Sequence, residues 1–166
     1  MNDLSSERDQ AIYRQWLLEA MEGEAEAYHF YMDMAHRWHD PATRKVFQRM
    51  AEEEIDPCAL LAYYQADPSL PARFTDAPLA PRQKDERALS LYESQSPLDL
   101  LTLALKKSCQ AGELYQNMAH ACLDGEFQDF CLQLALMKTG HTRILQDLLR
   151  PHSSCQAPLP PLLEVG

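Results

Sequence analysis

The sequence predicts an all-α protein built from four long helices, paired as two hairpins with a long crossover between helix 2 and helix 3. Three observations predict it. Gly is scarce, with 5 in 166 residues, and straight-chain helix formers outnumber the β-branched residues that favour strands. Apolar residues recur at steps of three and four, the period of an amphipathic helix. Helix breakers are not scattered; they fall at a few points that divide the chain into long uninterrupted segments.

The first helix runs from a cap at Ser5 or Ser6 to about His39. Its apolar stripe includes Ile12, Trp16, Leu17, Ala20, Ala27, Tyr28, Tyr31, Met34 and Ala35. Asp40-Pro41 ends it and starts the next, with Asp40 as N-cap and Pro41 in the first turn. The second helix spans about Pro41 to Gln65, with Val46, Phe47, Met50, Ala51, Leu60, Leu61 and Tyr64 on its apolar face. Residues 66–95 hold Pro68, Pro71, Pro78 and Pro81, so no single helix crosses them. They read as the crossover, with room for a short helix over 82–92. A third helix opens at the Ser96 cap and runs to about Cys122. Asp124-Gly125 turns the chain, and a fourth helix runs from about Glu126 to Arg150, where Pro151 is expected to end it. The domain is thus 1–150, with hairpins at about 7–65 and 96–150, and 151–166 is a Pro-rich flexible tail.

The two hairpins repeat each other. At an ungapped offset of 84 residues, Leu17 falls on Leu101, Ala20 on Ala104, Ala27 on Ala111, Tyr31 on Tyr115 and Met34 on Met118. Ala35 falls on Ala119, His36 on His120, Asp40 on Asp124, Ala51 on Ala135 and Leu61 on Leu145. One offset aligns core positions and turn residue together, the mark of an internal duplication.

Composition removes several function classes. The net charge of −10 argues against nucleic acid and against an anionic membrane surface, since both need clustered Lys and Arg. No window of about 18 apolar residues is present, and the N-terminal stretch is polar. Cys58, Cys109, Cys122, Cys131 and Cys155 form no Cys-x-x-Cys, so no four-cysteine metal site is available. They read mainly as buried thiols in a reducing compartment, which points to a cytoplasmic protein.

The run Ala20-Met-Glu-Gly-Glu24-Ala-Glu-Ala27-Tyr-His-Phe-Tyr31 and the run Phe47-x-x-Met50-Ala51-Glu-Glu-Glu54 resemble the first and second helices of rubrerythrin-type ferritin-like proteins, the diiron carboxylate superfamily. The likeness covers about residues 10–150. It implies a ferritin-like four-helix bundle and a two-iron site with six inward ligands: one Glu from the first helix of each hairpin and a Glu-x-x-His from each second helix. Carried onto this chain, the resemblance retains Glu24, Glu54 and His141. Pro57, Ser108 and Lys138 stand at the other three ligand positions. Pro has no side-chain donor atom and Lys brings a positive charge, so a full diiron centre is not expected.

Two readings of the remnant stay open. Lys138 replaces the metal charge, pairing with Glu24 and Glu54 while Ser108 adds a hydrogen bond. Alternatively Glu24, Glu54 and His141 hold a single iron, zinc or manganese ion. The first implies a non-catalytic or weakly metal-binding family member, with catalytic residues unassigned. The second implies a non-haem metal-dependent oxidoreductase of the peroxide- or iron-oxidising, oxidative-stress type. A homodimer is the expected partner in either case.

Pro57 should kink the second helix beside the site, which offers Cys58 as a further thiolate or, more simply, a structural thiol. His36 and His120 read as surface or capping residues, and His29, His39 and His152 as exposed. Tyr31 and Tyr115 read as core aromatics. Of Glu52, Glu53 and Glu54, only Glu54 is expected to point inward. Glu22, Glu26 and Glu113 are placed off the ligand face.

Overall fold

A computed structural model describes residues 3–66 and 96–154, with side chains over 7–66 and 96–150. All its elements are α-helices: α1 (Asp3–Arg37), α2 (Pro41–Glu52), α3 (Ile55–Ala66), α4 (Pro97–Ala121) and α5 (Gly125–Ser154). The proposed crossover, its short helix, and residues 155–166 of the tail lie outside the described residues.

The Asp40 and Ser96 caps are those the sequence offers, whereas Ser5 and Ser6 lie inside α1, which starts at Asp3, so the expected cap there is not used. Asp40 accepts from the Thr43 amide at 2.8 Å at the start of α2, and Asp124 accepts from the Phe127 amide at 2.9 Å at the start of α5. Ser96 and Asp99 form a reciprocal capping box at α4. The expected end of the last helix moves as well. Pro151 does not stop the last helix, which continues to Ser154. A proline deletes one backbone hydrogen bond, and a helix can absorb that loss near its end.

The second helix is two helices. Glu53 still donates to the Arg49 carbonyl at 3.0 Å, but the Glu54 amide turns to Ala51, one residue closer, at 3.0 Å. Pro57 has no N–H to return to Glu53, so the α2–α3 break falls where the missing bond would have been. The expected kink is therefore a full interruption.

α1 packs along α2 and α3, and α4 along α5. Two apolar clusters result. One gathers Trp16, Leu17, Leu61, Tyr64, Met118, Phe127 and Cys131. The other gathers Met34, Phe47, Met50, Leu101 and Leu145. Along α1, α4 and α5, and across the α2–α3 junction, the residues of one cluster are separated from those of the other by buried polar residues: Glu24, Ser108, Lys138 with His141, and Glu54. A polar layer is thus held between two apolar blocks that exclude water from both sides.

Candidate functional site: a buried lysine–carboxylate layer

Glu24, Glu54, Ser108, Lys138 and His141 are each no more than 3% exposed, and they are the buried polar residues of the described chain. Amphipathic periodicity alone does not put five polar side chains in a core. Each must therefore be satisfied by another.

Lys138 is the centre of the arrangement. Its Nζ donates to Glu24 Oε2 at 2.7 Å and also to Glu54 Oε2. Tyr115 donates its hydroxyl to Glu24 Oε1, so both Glu24 oxygens are occupied. His141 bridges outward: Nε2 meets Glu53 Oε2 at 2.8 Å, and Nδ1 lies 3.2 Å from Glu54 Oε1. The latter two atoms face each other without the alignment of a hydrogen bond, and neither has another partner. The His141 ring stands edge-on to Tyr31, with centroids 5.7 Å apart.

Charge in the layer divides unequally between Glu24 and Glu54. Burial drives the Glu24 carboxyl up, and the adjacent Glu54 carboxyl adds to this against the pull of Lys138; the group reaches about 8. Burial also opposes ionisation of Glu54, but the neighbouring His141 and Glu24 side chains and the charge of Lys138 outweigh it, and that carboxyl falls to about 2. Near neutral pH the favoured state keeps Glu54 ionised and Glu24 neutral beside the Lys138 side chain. One positive and one negative charge then cancel, and like carboxylates do not both ionise at contact distance. Burial beside these carboxylates also raises the phenols of Tyr31 and Tyr115, keeping both protonated.

Ser108 stands in the layer but does not bond the carboxylates. Its hydroxyl donates to the Lys138 carbonyl at 3.0 Å and pairs with Thr142 Oγ1 at 3.0 Å. It ties α4 to α5 at the turn that carries the lysine, so the expected hydrogen bond goes to backbone. Glu53 was placed on the solvated face and is instead half-buried, between His141 and Arg49. Burial raises its carboxyl, but those two hydrogen bonds win and hold it below the ordinary range. The available signal was Pro57: the break it forces turns Glu53 toward His141. Thr142 was also missed, because a Thr in a helix has no distinctive signal.

The other candidates fall where expected or drop out. His36 and His120 are exposed, and each donates Nδ1–H to the carbonyl four residues back at 2.7 Å. His29, His39, Glu22, Glu26 and Glu113 are exposed. Cys58 is half-buried and free, Cys109 is exposed, and Cys122 and Cys131 are buried, where burial raises both thiols. His152 and Cys155 have no described side chain.

The donor set does not fit a metal ion with Lys138 in place. A cation between Glu24 and Glu54 needs the same two oxygens that bind the ammonium. Pro57 and Ser108 supply no donor in its direction, and no group of three or more His, Cys, Asp or Glu among the described residues is arranged to hold one. A small cavity of about 30 Å³ between α1 and α4 reaches this layer, walled by Ala20, Gly23, Ala27 and Ala111 and floored by Glu24, Tyr115 and Lys138. No described helix is long and apolar enough to cross a membrane.

No protein-family model matches the chain, and no curated protein matches it either. Among solved structures it is similar to a hypothetical protein from Pyrococcus furiosus, at 23% identity and a TM-score of 0.64, over 86% of this chain and 90% of that one. At that identity the likeness shows a shared fold. Fold and site together define an all-α protein with a lysine-bridged carboxylate layer in its core.

Proposed function

We propose that this chain is a rubrerythrin-type ferritin-like four-helix bundle, formed by duplication of one helix hairpin, in which a lysine has taken over the charge role of the two-metal centre. In this reading it is a non-catalytic member whose bundle serves as a structural or binding scaffold. The observation that supports it most is the Lys138 ammonium bonded to both Glu24 and Glu54. A full pair of divalent ions brings several positive charges, which four carboxylates offset. Here two acids remain, one of them held neutral, and a single ammonium suffices. The water-poor layer makes that pair strong and its loss costly.

The metal-dependent oxidoreductase reading needs Lys138 to withdraw and release the two oxygens. The unaligned contact between Glu54 Oε1 and His141 Nδ1 is the one feature in its favour, since both atoms are free to turn to a ligand.

Metal content decides between them. Protein purified after iron, zinc or manganese supplementation is measured by plasma mass spectrometry beside Glu54→Ala. The scaffold reading expects far less than one metal per chain in both. One or two metals per chain, lost in Glu54→Ala, would overturn it and restore the oxidoreductase.

A further inference from the structure

The outer face of α5 carries a ridge that the rest of the fold does not explain. Leu132, Leu136, Gly140 and Ile144 follow one another at four-residue steps, a single i±4 row on the helix surface. Leu136 is 72% exposed, Leu132 45% and Ile144 37%. Gly140 is exposed, and a Cβ built on it meets nothing within 4 Å.

The repeat provides an internal control. Eighty-four residues earlier the same four positions are Gln48, Glu52, Asp56 and Leu60, all exposed. On the first hairpin this face is a solvated acidic surface. On the second, three polar positions have become Leu, Leu and Gly. Position in the fold therefore does not call for apolar residues there.

The ridge is also self-complementary. It is near-palindromic about residue 138. If two copies cross antiparallel with the two-fold axis at that level, Leu132 of one meets Ile144 of the other, and Leu136 meets the notch at Gly140. Both contacts occur twice, as an isologous interface requires. Two i±4 rows interdigitate at about −50°, the commonest crossing of packed helices, and a glycine at the crossing lets the axes approach. Arg143 then lies opposite Gln133, while Asp129 and Asp147, which would repel, fall on the diverging ends of the crossing.

We infer that α5 is a homodimerisation face, with a second copy of this chain as its occupant. One helix crossing is small beside a standard interface of about 800 Å² per partner, so the dimer is concentration-dependent. The inference does not depend on the state of the buried layer.

Sedimentation equilibrium of the full chain from micromolar to near-millimolar concentration tests it. The wild type is expected to move from one to two 19.0 kDa chains across that range. Leu136→Glu is expected to raise the dissociation constant about tenfold or more. Gly140→Leu fills the notch and does the same, while its exposed site and better helix propensity leave monomer folding intact by circular dichroism. Glu52→Ala, at the position equivalent to Leu136, leaves association unchanged. A wild type that is monomeric throughout overturns the inference, whether another segment or another protein covers the ridge. So does a dimer that survives both α5 substitutions.

Discussion

The two hairpins share a plan and differ in what they place at its centre. Leu17 and Leu101, Tyr31 and Tyr115, Met34 and Met118, Ala51 and Ala135, and Leu61 and Leu145 are buried in pairs, 84 residues apart. Asp40 and Asp124 cap equivalent helices, and His36 and His120 make the same backbone bond. In the polar layer the match ends. The first hairpin contributes two acids, Glu24 and Glu54. The second places Ser108 and Lys138 at the equivalent positions, and Lys138 binds the residue it corresponds to, Glu54. Equal hairpins would bring like charges to one point and would need an outside cation. Unequal hairpins carry the counter-charge internally. A core tolerates exchange of polar groups only if the set stays neutral and bonded, whereas apolar positions need only keep their volume.

The largest effect should come from making the hairpins equal in the layer. Lys138→Glu places a third carboxylate in the layer and removes its buried ammonium. Loss of one partner of a buried ion pair costs about 3–5 kcal/mol, and like-charge repulsion adds to it. The variant is expected to be unfolded or strongly destabilised in chelator, and to regain part of its melting temperature with Zn²⁺ or Mn²⁺. Lys138→Met separates the two terms, since it removes the ammonium without adding an acid. Its expected loss is smaller than that of Lys138→Glu. Thermal unfolding of both in chelator checks the order. A Lys138→Met protein as stable as wild type would mean that the charge division between hairpins has no energetic consequence.

The pH dependence probes the same division from the acid side. The Glu24 carboxyl is raised from its ordinary 4.5 to about 8. Between those values the folded chain holds a proton that the unfolded chain has released. Stability from this group therefore falls as pH rises through that window, by at most about 1.4 kcal/mol per pH unit. Glu54 acts oppositely: depressed to about 2, its contribution is complete above 4.5 and is lost as pH falls toward 2. Glu24→Gln mimics the neutral carboxyl permanently. Denaturant unfolding should find it similar to wild type near pH 5 and more stable by about 1–3 kcal/mol near pH 8. Parallel curves for the two proteins would mean that the Glu24 carboxyl is not raised in the fold.

Much of this was legible in the residues. The helix periodicity, the Asp40 and Ser96 caps, the Asp124-Gly125 turn and the offset of 84 specify the helices and their equivalence, because each is a local or repeated pattern. Glu24, Glu54, Ser108, Lys138 and His141 were picked out by the family resemblance carried through that register, and all five are buried together. Sequence left open which partner Lys138 would take, since a long flexible side chain can reach inward or snorkel outward. Glu53 was misplaced for a related reason. A regular helix keeps the residue beside an inward Glu54 on the outside, and only the α2–α3 break brings it to His141. The extent of a break depends on the packing around it, which a lone proline does not reveal. The crossover and tail had no periodic pattern to read beyond their prolines.

The smallest expected effect bears on that break. Pro57 and His141 occupy equivalent positions, and α5 runs unbroken through His141 where the first hairpin divides into α2 and α3. Pro57→Ala returns an N–H able to donate to the Glu53 carbonyl, which favours a continuous helix. Continuity would carry the Glu53 carboxylate away from His141 and forfeit the 2.8 Å contact. A backbone hydrogen bond is worth about 0.5–1.5 kcal/mol, and one to a charged group about 1.5–3 kcal/mol. Glu53 is half-buried, so solvent screening brings its contact toward the lower figure. The two changes nearly cancel, and net stability should move by less than about 1 kcal/mol. The informative readout is amide hydrogen exchange at Ile55 and Asp56, the residues that open α3, which should become better protected if the helix closes. Protection gained without loss of the Glu53–His141 contact would show that the break is not what positions Glu53. Unchanged exchange would assign the break to packing around α3, and leave proline as a residue the break tolerates.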